Sequence, residues 1–365
     1  MLPLSGVRVL EVAWLLPGPL TGLMLQDLGA EVIKIEPPGG DYLRTLKPLA
    51  PDGVSILFHA INRGKRSLTL DLKSDSGKQH LEKLLATADV VINGFRPGVL
   101  DNLGFSWERL QTDFPQIILC AISGYGAHSD RARVAGHDVN FEARAGLLFP
   151  HTDREPCLAP VPIADICGGV WPALSQILAA LLLRDKTKKG TFLDVSMTAF
   201  SAALLLLEYA KQSILPDVQF TDGGLLVGQY PCYGIYATKD GHIVVAALEG
   251  KFWDKLCDAT DLPELKGLGR CDGEQSDTVT KKLTARLKER STEDWLGKLL
   301  PLDICVDPIV DPKTFLKDPQ SAPVRFERFT VAGQEFSMPV MPFTGTISSP
   351  NMAPAPSFAP VARPS

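Results

Sequence analysis

Residues 7–36, VRVLEVAWLLPGPLTGLMLQDLGAEVIKIE, decide the fold class of this chain. Val7–Ala13 is a short run rich in β-branched residues, and Pro17-Gly18-Pro19 ends it. Leucines then recur at helical spacing as far as Gly29, and Glu31–Glu36 is a second β-rich run. A strand, a turn, a helix and a strand in this order predict the repeating unit of a parallel α/β sheet.

The same alternation continues toward the middle of the chain. Further strands are predicted at Ser67–Leu72, Asp89–Phe95, Gln116–Ile122 and Thr191–Val195, with helices between them. The turn after the first strand reads LPGP and not GxGxxG, so it carries no dinucleotide-binding fingerprint. The fold class is therefore α/β, with a Rossmann-like parallel sheet.

The composition changes near residue 215. Tyr230–Ala247 predicts a β-hairpin, and amphipathic helices follow it. A chain of 365 residues exceeds the size at which a single core stops growing. We expect a large α/β domain at 1–214 and a smaller α+β domain at 215–325. The segment 326–365 would return to the large domain and end in an extended tail.

Charge and cysteine usage exclude several classes of protein. A net charge of −5 argues against nucleic acid as the main partner. Seven scattered cysteines without a CxxC pair indicate a reduced cytoplasm and no structural metal site. The N-terminus has no signal-peptide pattern. The apolar segments Trp171–Leu183 and Ala199–Leu207 are shorter than the roughly 20 residues that cross a bilayer, so we expect buried helices and no membrane partner.

Two ionisable side chains stand next to glycines between residues 131 and 169. His137 lies in Gly136-His137-Asp138-Val139-Asn140, and Asp165 ends an apolar run before Gly168-Gly169. Histidine and aspartate commonly transfer protons, and a neighbouring glycine lets a ligand approach the backbone. The alternative is a core histidine and an aspartate that caps a helix.

In a parallel sheet, ligands bind at the carboxyl ends of the strands. Glycines or cations stand at these tips, in 17–19, 34–44, 96–98 and 123–126. Asn62-Arg63-Gly64-Lys65-Arg66 is the densest basic cluster of the first half and suits a phosphate-bearing ligand. The alternative is a solvated turn that happens to be charged.

Five motifs resemble, in the same order, those of the type III CoA-transferase (CaiB/BaiF-like) family, which includes the α-methylacyl-CoA racemases. They are Gly29–Asp41, Asn62–Lys73, Phe95–Leu103, Ser123–Gly126 and Pro162–Gly169. The histidine of Gly136–Asn140 is similar to the racemase branch, as are Ala247–Trp253 and Asp303–Val310. Residues 359–365 stop before the GxHT-like turn and last helix with which members of the family usually close.

The resemblance implies a function and a site. In the racemases of this family, residues equivalent to His137 and Asp165 exchange the α-proton of a 2-methylacyl-CoA, and one equivalent to Glu249 supports the histidine. The thioester is a substrate, and no metal or other cofactor is implied. The residues implied for CoA and thioester binding are Lys34, Arg63, Lys65, Arg66, Asp89, Arg96, Tyr125, Gly136, Asp138 and Asn140.

The resemblance also implies an interlocked homodimer with active sites shared between subunits. In such a dimer Glu249 would come from the partner. Two other functions stay open. One is a CoA-transferase in which Asp165 is the nucleophile and forms an acyl–enzyme anhydride. The other is a CoA-binding protein with a degenerate site.

A helix starting near Gly168-Gly169 would direct backbone N–H groups at the enolate oxygen.

Overall fold

The structure is a computed structural model that describes residues 2–149, 155–217, 226–318, 326–339 and 356. These residues form two compact units. The first unit contains the described residues within 1–148, 157–206 and 323–365, and the second contains those within 149–156 and 207–322. The domain boundaries expected from composition stay a prediction.

Six strands form the sheet of the first unit: β1 (Arg8–Val12), β2 (Glu31–Glu36), β3 (Arg66–Thr69), β4 (Val90–Asn93), β5 (Ile118–Ser123) and β6 (Thr191–Ser196). All neighbouring strands are parallel, and their order is β3-β2-β1-β4-β5-β6. Val9 of the central strand pairs with Val32 on one side and Val90 on the other. The predicted parallel α/β sheet is thus confirmed.

Helices cover both faces of this sheet, because successive strand residues point to opposite sides. Val9 packs in the same cluster as Ile177, and Leu10 packs with Leu81 and Leu110 on the other face. The helices are α1 (Pro17–Asp27), α2 (Ile56–Asn62), α3 (Asp75–Leu85), α4 (Val99–Asn102), α5 (Trp107–Asp113), α6 (Asp138–Ala145), α7 (Trp171–Thr187) and α8 (Met197–Ala203), with a 3-10 helix at Tyr42–Thr45 and a π-helix at Ala164–Val170.

The π-helix runs into α7 without a break, so Ala164–Thr187 is one helix of 24 residues. By length and composition it is apolar enough to cross a membrane, with a mean hydropathy of 1.8 in its most apolar window, of which 44% is buried. The prediction that this region is too short to span a bilayer is wrong, because Gly168 and Gly169 continue the helix. The core helix of a protein without a membrane passes the same test, and Ile177 of this helix belongs to the core of the first unit.

The second unit is α+β. It contains an antiparallel sheet in the order β7-β8-β9, and its core surrounds Trp253 and Trp295, which are fully buried. Its elements are β7 (Tyr233–Ala237), β8 (His242–Ala246), β9 (Val306–Pro308), α9 (Leu206–Ile214, whose first residue belongs to the first unit), α10 (Gly250–Ala259), α11 (Gly273–Leu287), α12 (Thr292–Leu299) and α13 (Pro312–Phe315), with 3-10 helices at Pro263–Leu265 and Leu300–Leu302.

Residues 326–339 form a hairpin that belongs to the first unit. Its antiparallel strands are β10 (Phe326–Val331) and β11 (Gln334–Pro339). Phe329 and Val331 pack against Ala50. The remainder of the expected extended tail, apart from Pro356, lies outside the described residues.

Candidate active site

A cavity of about 400 Å³ lies at the carboxyl edge of the sheet in the first unit. Its walls follow the ends of three strands, with Trp14 after β1, Gly94 after β4, and Gly124 after β5. Both His137 and Asp165 line it. The structure therefore brings together the two side chains that the sequence singled out, at the edge where parallel sheets bind ligands.

His137 stands immediately before helix α6, in the N-cap position. Its backbone N–H donates to Oδ1 of Asn140 at 3.0 Å, which fixes the start of the helix. The His137 side chain is exposed, so it is not a buried core histidine. Gly136 lines the cavity next to it, and a Cβ there would lie 2.7 Å from the Phe141 ring. A glycine is therefore required to bring this backbone against the cavity wall.

Asp165 lies in the π-helix, one residue inside its start, and Ile163 occupies the N-cap. The N–H of Asp165 donates to Oδ1 of Asp138 at 2.8 Å. Burial, together with the smaller effects of the negative charges of Asp138 and Glu142, raises the pKa of the Asp165 carboxyl to about 7. The aspartate is therefore not a helix cap. It is a carboxyl group that holds its proton close to neutral pH.

The glycine pair after Asp165 serves helix packing. A Cβ on Gly168 would lie 2.3 Å from Oγ of Ser201 and 2.4 Å from the carbonyl oxygen of Met197, both in α8. Because the helix already starts at Ala164, the expectation that a helix begins at this pair and directs its N–H groups at an oxyanion is wrong.

Tyr125 packs against Gly136 and Phe141, which line this cavity. It is buried, and its ring meets the Phe141 ring edge-on with centroids 5.2 Å apart. The guanidinium of Arg131 lies 5.1 Å from the Tyr125 ring centroid. The Tyr125 hydroxyl would be 3.0 Å from a Cβ on Gly136, so it supports the backbone beside His137.

Three cations that the resemblance assigned to CoA are in the interior. Nζ of Lys34 lies 2.9 Å from Glu11 and 2.8 Å from Asp41, and Nζ of Lys65 lies 2.7 Å from the same Glu11. Arg63 pairs with Asp27 at 2.5 Å. Burial lowers the pKa of Lys65 to about 8. Buried carboxylates neutralise the charges of these three cations, and their assignment to CoA stays a prediction.

Two further assigned residues lie at the amino edge of the sheet, opposite the cavity. Arg66 begins β3 and is exposed, and it pairs with Glu31 at 2.8 Å. Asp89 precedes β4, accepts from the backbone N–H of Arg8 at 2.7 Å and pairs with Arg184 at 2.7 Å. Both residues therefore lie away from the carboxyl ends of these strands, and their assignment to CoA binding stays a prediction.

Arg96 is the assigned cation that lines the cavity. It follows β4, its side chain is exposed, and its guanidinium donates to the carbonyl oxygen of Arg133 at 3.4 Å. Glu249 lies in the second unit, where it is exposed and occupies the N-cap of α10. Its support of His137 stays a prediction.

A second cavity of about 300 Å³ shares Trp14 and Phe95 with the first. The two rings meet edge-on with centroids 5.5 Å apart. Leu70 and Lys73, which follow β3, line its far side. Sequence reasoning missed Trp14 and Lys73 as site residues, although both follow strand ends and the edge rule would have found them.

Sequence reasoning also missed Glu142. Its carboxyl is 2% exposed, and its Oε1 accepts from the backbone N–H of Ile163 at 3.0 Å. The available signal was its spacing, because Glu142 lies four residues after Asp138 and thus on the same helix face. Among the described residues, no group of three His, Cys, Asp or Glu side chains is arranged to hold a metal ion.

Comparison with known proteins identifies the family of this site. The profile of CoA-transferase family III matches residues 4–357. The chain belongs to CoA-transferase family III. Its fold agrees with that of a CaiB/BaiF family protein from Brucella suis, with a TM-score of 0.84 and 29% identity over 98% of this chain and 96% of that one.

Relatives of both enzyme types are found within CoA-transferase family III. Succinyl-CoA:glutarate CoA-transferase of Mus musculus is 32% identical over 306 residues, which cover 81% of this chain and 69% of the relative. The α-methylacyl-CoA racemase of Homo sapiens is 31% identical over 318 residues, which cover 84% of this chain and 78% of the relative. The family III member described here is thus an enzyme of the racemase or CoA-transferase type.

Proposed function

We propose that this protein is an α-methylacyl-CoA racemase or epimerase. The observation that carries the proposal is that His137 and Asp165 line one cavity, and that Asp165 has a pKa of about 7. Removing and returning an α-proton on opposite faces requires one base and one acid. An imidazole and a protonated carboxyl can supply this pair.

The proposed proton transfer removes one proton from the α-carbon and returns one to it. Nε2 or Nδ1 of His137 takes the α-proton, the C–H electron pair becomes the enolate, and the Asp165 carboxyl gives its proton to the opposite face of the same carbon. In the reverse direction the two groups exchange roles. The backbone N–H groups at the start of α6, directly after His137, would stabilise the enolate oxygen.

The two adjoining cavities support binding of an acyl-CoA along the carboxyl edge. The apolar pocket beside Trp14 and Phe95 suits an adenine ring, which stacks on aromatic faces. The cations at its borders, Lys73 and Arg96, suit phosphate groups. CoA should therefore raise the melting temperature, whereas NAD should not. A shift with NAD alone would contradict this assignment of the pockets.

We also propose the interlocked homodimer, in which Glu249 of the partner subunit would support His137. The first unit carries apolar side chains that are at least half exposed in the single chain, namely Leu182, Leu183, Leu204 and Leu206. Such side chains are typical of an interface. Sedimentation should show a dimer at micromolar concentration, and a monomer there would remove the shared site.

CoA transfer to a carboxylate is the second candidate function, and the family members with transferase names favour it. In that reaction a carboxylate oxygen of ionised Asp165 attacks the thioester carbonyl, and the C–S bond breaks to release CoA thiolate. The CoA thiolate then attacks the Asp165 carbonyl of the anhydride, which releases the donor acid and leaves CoA as a thioester on Asp165. The acceptor carboxylate displaces CoA thiolate from that thioester to form a second anhydride, and the thiolate attacks the acceptor carbonyl, which gives the new acyl-CoA and frees Asp165. The first attack requires loss of the Asp165 proton, and no proton leaves the α-carbon.

Incubation of the enzyme with a 2-methylacyl-CoA in deuterated water separates the candidates. A racemase incorporates α-deuterium, and a protein that only binds CoA does not. His137→Ala should lower this incorporation by about 10²–10⁴-fold, which is the usual contribution of a positioned acid or base. His128→Ala is the matched control, because His128 is also exposed but lines a different cavity.

The transferase predicts another pattern. Asp165→Asn would abolish activity, His137→Ala would retain most of it, and hydroxylamine would inactivate the wild type only in the presence of acyl-CoA. That set of results means that an anhydride forms on Asp165, and the racemase proposal would then be rejected.

A further inference from the structure

Two acidic side chains of α6 hold the turn that carries Asp165. Asp138 accepts from the backbone N–H of Asp165 at 2.8 Å, and Glu142 accepts from the backbone N–H of Ile163 at 3.0 Å. Both N–H groups belong to the start of the π-helix, where they have no helical partner. Because Asp138 directly follows His137, the same contacts connect the two proposed proton-transfer groups through one short helix.

Glu142 occupies a position where an ionised side chain is costly. It is 2% exposed, whereas most carboxylates at such depth are paired with a cation. Its Oε1 instead accepts the hydrogen bond from the backbone N–H of Ile163. Burial raises the pKa of Glu142, and the charge of Asp138 adds to that effect. A glutamine would make the same backbone hydrogen bond without the charge.

The other charged groups around this turn do not offset the two carboxylates. The first cavity adds His137 and Arg96, which is exposed. Helices α1, α7 and α8 and strand β6 also pack on the π-helix. Helix α8 contains no charged residue. The charged residues of α1 and β6 have other partners, because Asp27 pairs with Arg63 and Asp194 accepts from the backbone N–H of Ala127. The charged residues of α7 and Arg144 of α6 lie in the last turns of their helices. Those of α7 are Asp185, Lys186 and Arg184, which pairs with Asp89.

We propose that Glu142 is a positioning residue, which holds the Asp165 turn by a backbone hydrogen bond and places a negative charge beside that turn. This inference rests on the proposed function only in what it contributes to the reaction. Two variants of Glu142 distinguish the effect of the hydrogen bond from the effect of the charge. Glu142→Gln removes the charge and retains an acceptor oxygen for Ile163, whereas Glu142→Leu removes both.

The test measures the protonation of Asp165 without using activity. The infrared band of a protonated carboxyl that is present in the wild type and missing in Asp165→Asn is followed as a function of pH. Its midpoint is expected near pH 7 in the wild type and about one unit lower in Glu142→Gln, because one like charge is removed. Glu293→Gln is the control for a charge change in the second unit, where Glu293 is exposed, and should leave the midpoint unchanged.

The kinetic readout addresses positioning. With the α-deuterium assay, Glu142→Gln should keep kcat within about threefold at its own optimum, whose alkaline limb moves to lower pH. Glu142→Leu should lower kcat by at least about tenfold, because the Asp165 carboxyl is misplaced. KM should change little, because the substitution does not alter the binding of CoA. Rescue by glutamine thus separates positioning from general loss of stability.

An unchanged infrared midpoint in Glu142→Gln, with circular dichroism like that of the wild type, would overturn the charge effect. Equal kcat in Glu142→Leu and the wild type would overturn the positioning effect. A lower midpoint in Glu142→Gln together with no α-deuterium incorporation in the wild type would support the inference about Glu142 and reject the racemase function.

Discussion

Replacing Asp165 with asparagine is expected to stabilise the protein above neutral pH. The carboxyl has a pKa of about 7 in the folded protein, against a reference value of 3.8. Between these values the folded state binds more protons than the unfolded state, so the free energy of unfolding falls as pH rises through this window. Below pH 3.8 the penalty is absent, and above pH 7 it is fully present.

The magnitude follows from the difference between the two pKa values. A shift of about three units, at 1.36 kcal/mol for each, gives a penalty of about 4 kcal/mol above pH 7. Between pH 5 and pH 8 the wild type should lose about 2.5 kcal/mol of stability through this group alone. Asparagine does not titrate, so this loss is missing from Asp165→Asn, while the proposed activity is lost. Such a trade between stability and activity is common at active sites.

Urea unfolding followed by circular dichroism at several pH values measures this effect. At each pH the free energy of unfolding of the wild type is subtracted from that of the variant. The change of this difference with pH is the relevant quantity, because the pH-independent cost of the substitution cancels. Asp130→Asn is the control, because Asp130 is exposed in a loop of the same unit. If the stability difference between Asp165→Asn and the wild type stays constant from pH 5 to pH 8, the reasoning about the Asp165 carboxyl is refuted.

Three further substitutions test the surrounding structure. Glu11→Gln should lower the free energy of unfolding by about 3–5 kcal/mol in chemical denaturation, because two buried lysines lose their shared carboxylate. Arg66→Ala, which breaks an exposed pair, should cost less than about 1 kcal/mol, and equal costs for the two variants would contradict this. Gly124→Ala places a Cβ 2.2 Å from the Phe141 ring and should lower stability by about 1–3 kcal/mol, which a thermal scan would detect and an unchanged melting temperature would exclude. Arg96→Ala should weaken CoA binding in calorimetry, whereas Arg66→Ala, at the opposite edge of the sheet, should not; equal effects would reject the placement of CoA at the carboxyl edge.

The sequence by itself determined the class of fold and selected two residues that line the candidate site. Alternating apolar residues and helical spacing depend on neighbours within a few positions, so the six strands could be predicted within two or three residues of their observed bounds. Helix α6 was missed because its eight residues are too few for a clear period and its polar residues resemble a loop. His137 and Asp165 could be selected as a pair because each stands close to glycines.

The tertiary structure alone decided which charges are exposed to a ligand. Lys34 and Lys65 belong to motifs that resemble CoA-binding segments, but Glu11, which lies 23 and 54 positions away along the chain, pairs with both in the interior. The high pKa of Asp165 likewise arises from burial and from Asp138 and Glu142, which are distant in sequence. Local sequence patterns indicate which secondary structure a segment can form. Burial and charge pairing depend on segments that meet only when the chain is folded.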